Sequence, residues 1–266
     1  MGLSNAWINS YNSLMKLQQD PVTGMLTGTY SSTTGGTGTY DIVGWAALNK
    51  PTTKAGQGMA ISILWRSNDG GKSDPSHEVS GMAGQNIFLE SGENLELLHL
   101  FVETNPNTTP KLGFYPDKLT FTPSTDEKNM DPHQKRAEGS TTNASNQLLG
   151  TWTEDSAHGS VAINIEQKRV GGTEIKGAIL YPDGQLYPIV GFTDIFALPP
   201  KFNRQGVTFC TYVDGSQGRT CKAFAGYLDL TTNSLVLKEL AAQSTAANST
   251  WYQTHLSNLV MHKKER

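Results

Sequence analysis

Few residues in this chain are of a type and spacing that could carry out a reaction. The six histidines are scattered, and no two sit at metal-ligand spacing. Cys210 and Cys221 lack the paired C-x-x-C spacing of zinc or redox sites. Asp214-Gly215-Ser216 sets a hydroxyl near a carboxylate, but no helix pattern follows, so the triplet reads as a turn and not as a nucleophile elbow. With no acid–base pair or nucleophile constellation visible, neither an enzyme nor a metal or cofactor site is expected. The more informative pattern lies on strand faces. Leu26, Gly28, Tyr30 and Ser32 share one face while Thr27, Thr29 and Ser31 take the other, and Ile61, Ile63 and Trp65 form a second inward row.

Such faces need strands to present them, and the composition supplies strands. The 27 glycines and the many Ser, Thr and Asn residues suit short strands joined by tight turns, because Gly and Asn tolerate the positive φ that turns require. Turn signals stand at Asp20-Pro21, Asn68-Asp69-Gly70-Gly71 and Glu90-Ser91-Gly92-Glu93. Residues 123–146 are polar with no periodic apolar face, which marks a linker between a first unit at 1–122 and a second at 147–266. Each half holds about eight strand runs, as an up-and-down barrel requires. The halves also look like a divergent repeat. Leu3-Ser4-Asn5-Ala6-Trp7 is similar to Leu148-Leu149-Gly150-Thr151-Trp152, with the tryptophans 152 − 7 = 145 residues apart. The expected fold is all-β: two tandem eight-stranded antiparallel barrels. A hairpin centred on Gly215-Ser216 would set Cys210 opposite Cys221, either as a disulfide or as two buried free thiols.

Trp7-Ile8-Asn9-Ser10-Tyr11-Asn12-Ser13, followed by Leu26-Thr27-Gly28-Thr29-Tyr30-Ser31-Ser32, closely resembles the opening of the avidins and streptavidins. The resemblance is good over the first three strands and continues more weakly to Thr122. It implies a barrel that holds one small ligand, biotin in that family. Carried over residue by residue, it implies Asn9, Ser13 and Tyr30 as hydrogen-bonding partners of the ureido carbonyl, and Ser32 and Asp117 as acceptors for the two ureido N–H groups. A buried polar atom left unpaired costs about 1–3 kcal/mol, so such a cage selects its ligand. The plainer alternative is that Asn9 and Ser13 only finish turns and Tyr30 is a core aromatic. Trp65 matches a pocket tryptophan, and Thr34 falls in a loop, Thr33–Thr39, matching the family's lid.

The departures bear on the ligand. Met82 and Phe101 stand for two further pocket tryptophans, and Ser80 fits a hydroxyl position on the same strand as Met82. The lid tryptophan that a neighbouring barrel normally lends is absent near Thr108-Thr109, whereas Trp251-Tyr252-Gln253-Thr254 in the second half matches that segment. Trp251 is therefore expected to enter the first pocket or to cap its own barrel. In the second half Glu154 replaces the Asn, Ile179 or Tyr181 stands at the Tyr position, Tyr212 replaces the tryptophan, and Ser160 and Asn258 are the remaining polar matches. That pocket is expected to have lost biotin.

Net charge −3 with 17% charged residues gives no nucleic-acid surface, and no apolar run approaches the roughly 18–20 residues of a membrane helix. The N-terminus enters directly into a strand pattern with no leader. Sequons at Asn107, Asn143 and Asn248 nevertheless point to a secreted glycoprotein. The leading expectation is thus a biotin-binding protein whose barrels pair within the chain, with a homodimer as a further level. The alternatives are a binder of another elongated apolar ligand with a polar head, such as a carotenoid, and a lectin or structural assembly protein with vestigial pockets.

Overall fold

The computed structural model describes residues 3–33, 38–66, 77–108, 111–124, 146–156, 159–197 and 199–264. The linker stretch expected at 123–146 falls almost wholly outside them. The first barrel runs β1 (Asn5–Asn9), β2 (Leu14–Gln19), β3 (Met25–Ser32), β4 (Gly38–Ala46), β5 (Gln57–Leu64), β6 (Glu78–Leu89), β7 (Gly92–Glu103) and β8 (Gly113–Pro123), each strand antiparallel to the next, and β8 closes on β1. The second repeats this order with β9 (Gly150–Ser156), β10 (Gly159–Gln167), β11 (Glu174–Leu180), β12 (Leu186–Thr193), β13 (Arg204–Gly215), β14 (Gly218–Asp229), β15 (Ser234–Ala242) and β16 (Thr254–Lys263), closed by β16 on β9. A 3-10 turn, Thr250–Tyr252, precedes β16. Closure removes the free edges that would otherwise invite pairing with another chain.

Period-2 alternation builds the two interiors. In the first barrel Trp7, Met15, Leu26, Tyr30, Ile61, Ile63, Leu95, Leu97, Leu119 and Phe121 point inward and are buried. In the second, Trp152, Ile163, Ile179, Phe209, Phe224, Leu237, Leu259 and Met261 do the same. The two registers superimpose. Trp7 pairs Met15 and Met15 pairs Tyr30; in the same order Trp152 pairs Ile163 and Ile163 pairs Ile179. Each first-strand tryptophan donates its indole N–H to the backbone carbonyl four residues before it, Trp7 to Leu3 and Trp152 to Leu148. Inward glycines correspond as well. A Cβ on Gly84 would lie 2.0 Å from the Glu96 carbonyl, and one on Gly226 1.9 Å from that of Val236. These strands coil so tightly against their neighbours that only glycine fits.

A third core joins the barrels. Trp45, Ala60, Leu64, Val79, Ala83, Leu100 and Val102 from the outer faces of β4–β7 meet Phe192, Cys210, Cys221, Ala223, Ala225, Leu240 and Ala242 from β12–β15. Small residues let the sheets approach: a Cβ on Gly81 would touch the Cβ atoms of Ala225 and Ala223 at 3.3 and 3.4 Å. Ser62 Oγ lies 3.1 Å from Cys210 Sγ, and Thr208 donates to the Ser80 carbonyl at 2.9 Å. His77 Nδ1 and the fully buried Asp194 carboxylate meet at 2.5 Å across the seam. The barrels run in opposite senses. The β15–β16 connection of the second lies on the β4–β5 connection of the first, with Gly56 N–H donating to Thr245 O and Ala247 N–H to Thr53 O.

Two expectations are corrected by the seam and its register. The β13–β14 turn is centred on Ser216-Gln217, one residue beyond Gly215-Ser216, so Cys210 faces Ala223 and Cys221 faces Tyr212. Both cysteines are free, buried thiols in the seam. Tyr212 also faces outward, packing against Trp45 with ring centroids 4.9 Å apart and lying under the Arg219 guanidinium, so it is no pocket residue of the second barrel.

Candidate functional site

The site in the first barrel starts from the β1–β2 turn. Asn12 holds a positive φ of 60°, and Asn9 Oδ1 accepts the backbone N–H groups of Tyr11 at 3.0 Å and Ser13 at 2.9 Å. Asn9 does finish this turn, and finishing it fixes the amide. With its oxygen held by the turn, Nδ2 faces inward and donates to Tyr30 Oη at 3.3 Å. Ser13 is fully buried. Its hydroxyl lies close enough to oppose the rise that burial imposes on the Tyr30 phenol pKa, as does Asn9. Yet it meets hydrogen-bond geometry with no partner among the described residues. Tyr30 Oη accepts from Asn9, so its own proton remains available to an acceptor. The cluster is therefore rich in donors and short of acceptors.

Trp65, at the end of β5, crosses toward this cluster. Its ring meets Tyr30 edge-on at 5.5 Å, Tyr40 at 4.9 Å and Phe101 at 6.3 Å. Its indole N–H donates to Ser80 Oγ at 2.7 Å, and Ser80 Oγ lies 2.8 Å from His99 Nε2. Ser80 Oγ accepts the indole N–H and keeps both its proton and a second lone pair, so it can serve either tautomer of His99. Burial pushes the His99 pKa down to about 4, with Asp117 opposing, so the ring is neutral at pH 7. His99 was not singled out in the sequence. The alternation Leu95, Leu97, His99, Phe101 along β7, with His99 opposite Met82, is the signal that could have found it.

The remaining candidates fall as follows. Met82 is fully buried in the interior core and Phe101 packs against it. Ser32 is 8% exposed at the end of β3, paired with Gly38. Asp117 shares the inward face of β8 with Leu119 and Phe121, one step nearer the mouth, where it is exposed and directly opposite His99. Thr34 lies outside the described residues, while its neighbour Thr33 donates to Tyr11 O at 2.6 Å. The side chain of Trp251 lies outside what is described, and only its neighbours place this segment. Gln253 and Thr254 beside it donate to the carbonyls of Glu96 and Ala83, and the whole connection lies on the end of the first barrel opposite Ser80 and His99. Antiparallel packing thus keeps that segment away from the first site.

Residues 1–108 match the avidin family model. The first barrel belongs to the avidin family. The crystal structure of xenavidin is similar to the chain, at 19% identity over 46% of this chain and 96% of that one, with a TM-score of 0.37. No curated protein sequence matches. The chain is accordingly an avidin-like small-molecule-binding protein, with two barrels paired within one polypeptide.

The second barrel has replaced the avidin-type polar cluster. Register places Ile179 where the first barrel has Tyr30, and Val161 where it has Ser13. Ser160 and Asn258 are both exposed, and Asn258 pairs with Lys238 on the outer face, so neither supplies the interior. Glu154 Oε1 accepts the backbone N–H of Val260 at 3.4 Å in an exposed setting.

Proposed function

We propose that the first barrel binds biotin, or a ligand sharing its buried carbonyl, non-covalently and without chemical change. The observation that carries this is the donor excess at Asn9, Ser13 and Tyr30: a buried serine hydroxyl with no partner among the described residues, a tyrosine hydroxyl that accepts from Asn9, and an amide whose orientation the turn dictates. A ligand carbonyl oxygen supplies the missing acceptor, and an unmade bond at such a place costs about 1–3 kcal/mol. Ser32, two residues along β3 from Tyr30 and on the same face, is the proposed N–H acceptor, while Trp65, Met82 and Phe101 offer apolar walls. Replacing a family tryptophan with Met82 reduces aromatic contact, so affinity is expected below the family's extreme. The protein is proposed to act outside the cell as a binding protein, not an enzyme.

Site variants test the reading. Tyr30→Phe and Ser13→Ala should each weaken biotin by roughly tenfold or more, the loss of about 1.5 kcal/mol that one buried hydrogen bond represents. Unchanged affinity in both, measured by calorimetry, would remove the donor cluster from the account. One observation favours a second ligand. Met82, fully buried in the interior core, stands where the family has a tryptophan, and a flexible thioether adapts to an irregular apolar ligand. An elongated apolar ligand with a carbonyl head, such as a carotenoid, suits such a wall. A visible absorption band in natively extracted protein would select it over biotin.

A further inference from the structure

The second barrel lacks the donor cluster of the first, yet its interior is not purely apolar. On β14, Lys222 shares the inward face with Phe224; on β15, Glu239 shares it with Leu237. Lys222 Nζ lies 2.9 Å from Glu239 Oε1, each side chain 16% exposed, and 4.5 Å over the ring of Tyr181. Tyr181 follows β11 and packs on the interior core; its hydroxyl is buried and has no partner among the described residues. By register, Lys222 and Glu239 occupy the places that Ser80 and His99 hold in the first barrel. The polar groups of the interior stand not on β9 and β10 but at the end of β11 and on β14 and β15, at Tyr181, Lys222 and Glu239. Below them the stacked Phe209–Phe224 pair, with centroids 4.7 Å apart, forms a solid floor, and Tyr187 stands edge-on to Tyr181 at 6.0 Å.

We infer that Tyr181, Lys222 and Glu239 form a second ligand site, for a small neutral carboxamide. The physical reasons are charge balance and donor count. Lys222 and Glu239 neutralise one another, so a charged ligand would have to break a desolvated ion pair to enter. A neutral amide leaves the pair intact: its carbonyl accepts the proton of Tyr181, and its N–H groups donate to the Glu239 carboxylate. Burial pushes the Tyr181 phenol far above its ordinary pKa, reinforced by Glu239, so the hydroxyl stays a donor. The floor excludes a long tail, and Tyr187 offers an aromatic edge to a short one.

Benzamide, benzoate and benzylamine are the probes, with binding to the full chain read by saturation-transfer NMR and calorimetry. Benzamide should bind at millimolar or tighter concentration, and the two charged probes at least tenfold more weakly. Tyr181→Phe should weaken benzamide at least tenfold without lowering the melting temperature, since it deletes a hydroxyl that has no partner among the described residues. Asn9→Ala, in the first barrel, should leave benzamide within twofold, which separates this site from the biotin site. No benzamide binding, equal binding to Tyr181→Phe, loss on Asn9→Ala, or equal binding of a charged probe would each overturn the assignment.

Discussion

Tyr30 and His99, each against the ring of Trp65, show how one barrel presents two kinds of hydrogen-bonding group. Tyr30 is a donor because Asn9 already donates to it, and Asn9 is oriented by the turn it closes. His99 is neutral because burial depresses its pKa to about 4. Its sign is definite. Between the ordinary histidine value and about 4 the unfolded chain binds a proton that the folded chain does not, so acidification through that window destabilises the fold. The loss at pH 4 is on the order of 2–3 kcal/mol. His99→Gln should flatten this part of the stability curve in denaturant titrations between pH 7 and pH 4; an unchanged slope would show that His99 is not the titrating group. At this scale the sequence was informative where a motif fixes both residue and spacing: Asn9, Ser13 and Tyr30 do meet in space. It was less informative at Asp117: the carboxylate shares the inward face of β8 with Leu119 and Phe121, but a stretch of Tyr-Pro-Asp-Lys does not reveal that it will stand at the exposed mouth opposite His99.

Glycine placement carries the repeat further than residue identity does. The second barrel keeps Trp152 but has lost most of the first barrel's polar residues; its inward Gly226 still occupies the place of Gly84. In both, the partner carbonyl lies about where a Cβ would go, at 2.0 Å and 1.9 Å, and strand backbone on both sides cannot give way cheaply. Gly84→Ala and Gly226→Ala should therefore each cost about 1–3 kcal/mol of stability, read as a lowered denaturation midpoint. A neutral result at either position would mean that the local coiling is not constrained as described. The alternation of β3 and β5 and the turn at Glu90-Ser91 could be read from sequence because side-chain period and turn chemistry are local properties. The β13–β14 pairing could not. Gly215, Ser216, Gln217 and Gly218 admit more than one two-residue turn, and moving the centre by one residue moves every cross-strand partner by two.

The two barrels pack as near-equivalents across an approximate two-fold. Ser62 and Cys210 hold corresponding strand positions and touch each other at 3.1 Å, as equivalent positions do only near such an axis. Small side chains at Gly81, Ala223 and Ala225 permit the contact, and the His77–Asp194 bond and the Arg219 guanidinium on the Thr23 carbonyl at 2.6 Å hold its margins. This arrangement sets the β1–β2 end of the first barrel and the β15–β16 end of the second at opposite ends of the pair. No periodicity within either half encodes the relative sense of the two barrels, so the sequence could not disclose it. The seam also dictates thiol behaviour. Burial raises both cysteines, Cys210 to about 12, so neither should react with a thiol reagent at pH 8 in the native protein, and two thiols per chain should appear on denaturation without reductant. Appearance of none would mean that they are joined.

The central claim is that the first barrel alone presents an acceptor-seeking cluster to a biotin-like carbonyl. Calorimetric titration of the whole chain with biotin tests it most directly. The account predicts saturation at one biotin per chain, because Ile179 and Val161 have removed the equivalent donors from the second barrel. Two per chain would contradict the reading of the second barrel, and no binding at all would show that the donors at Asn9, Ser13 and Tyr30 serve a different ligand.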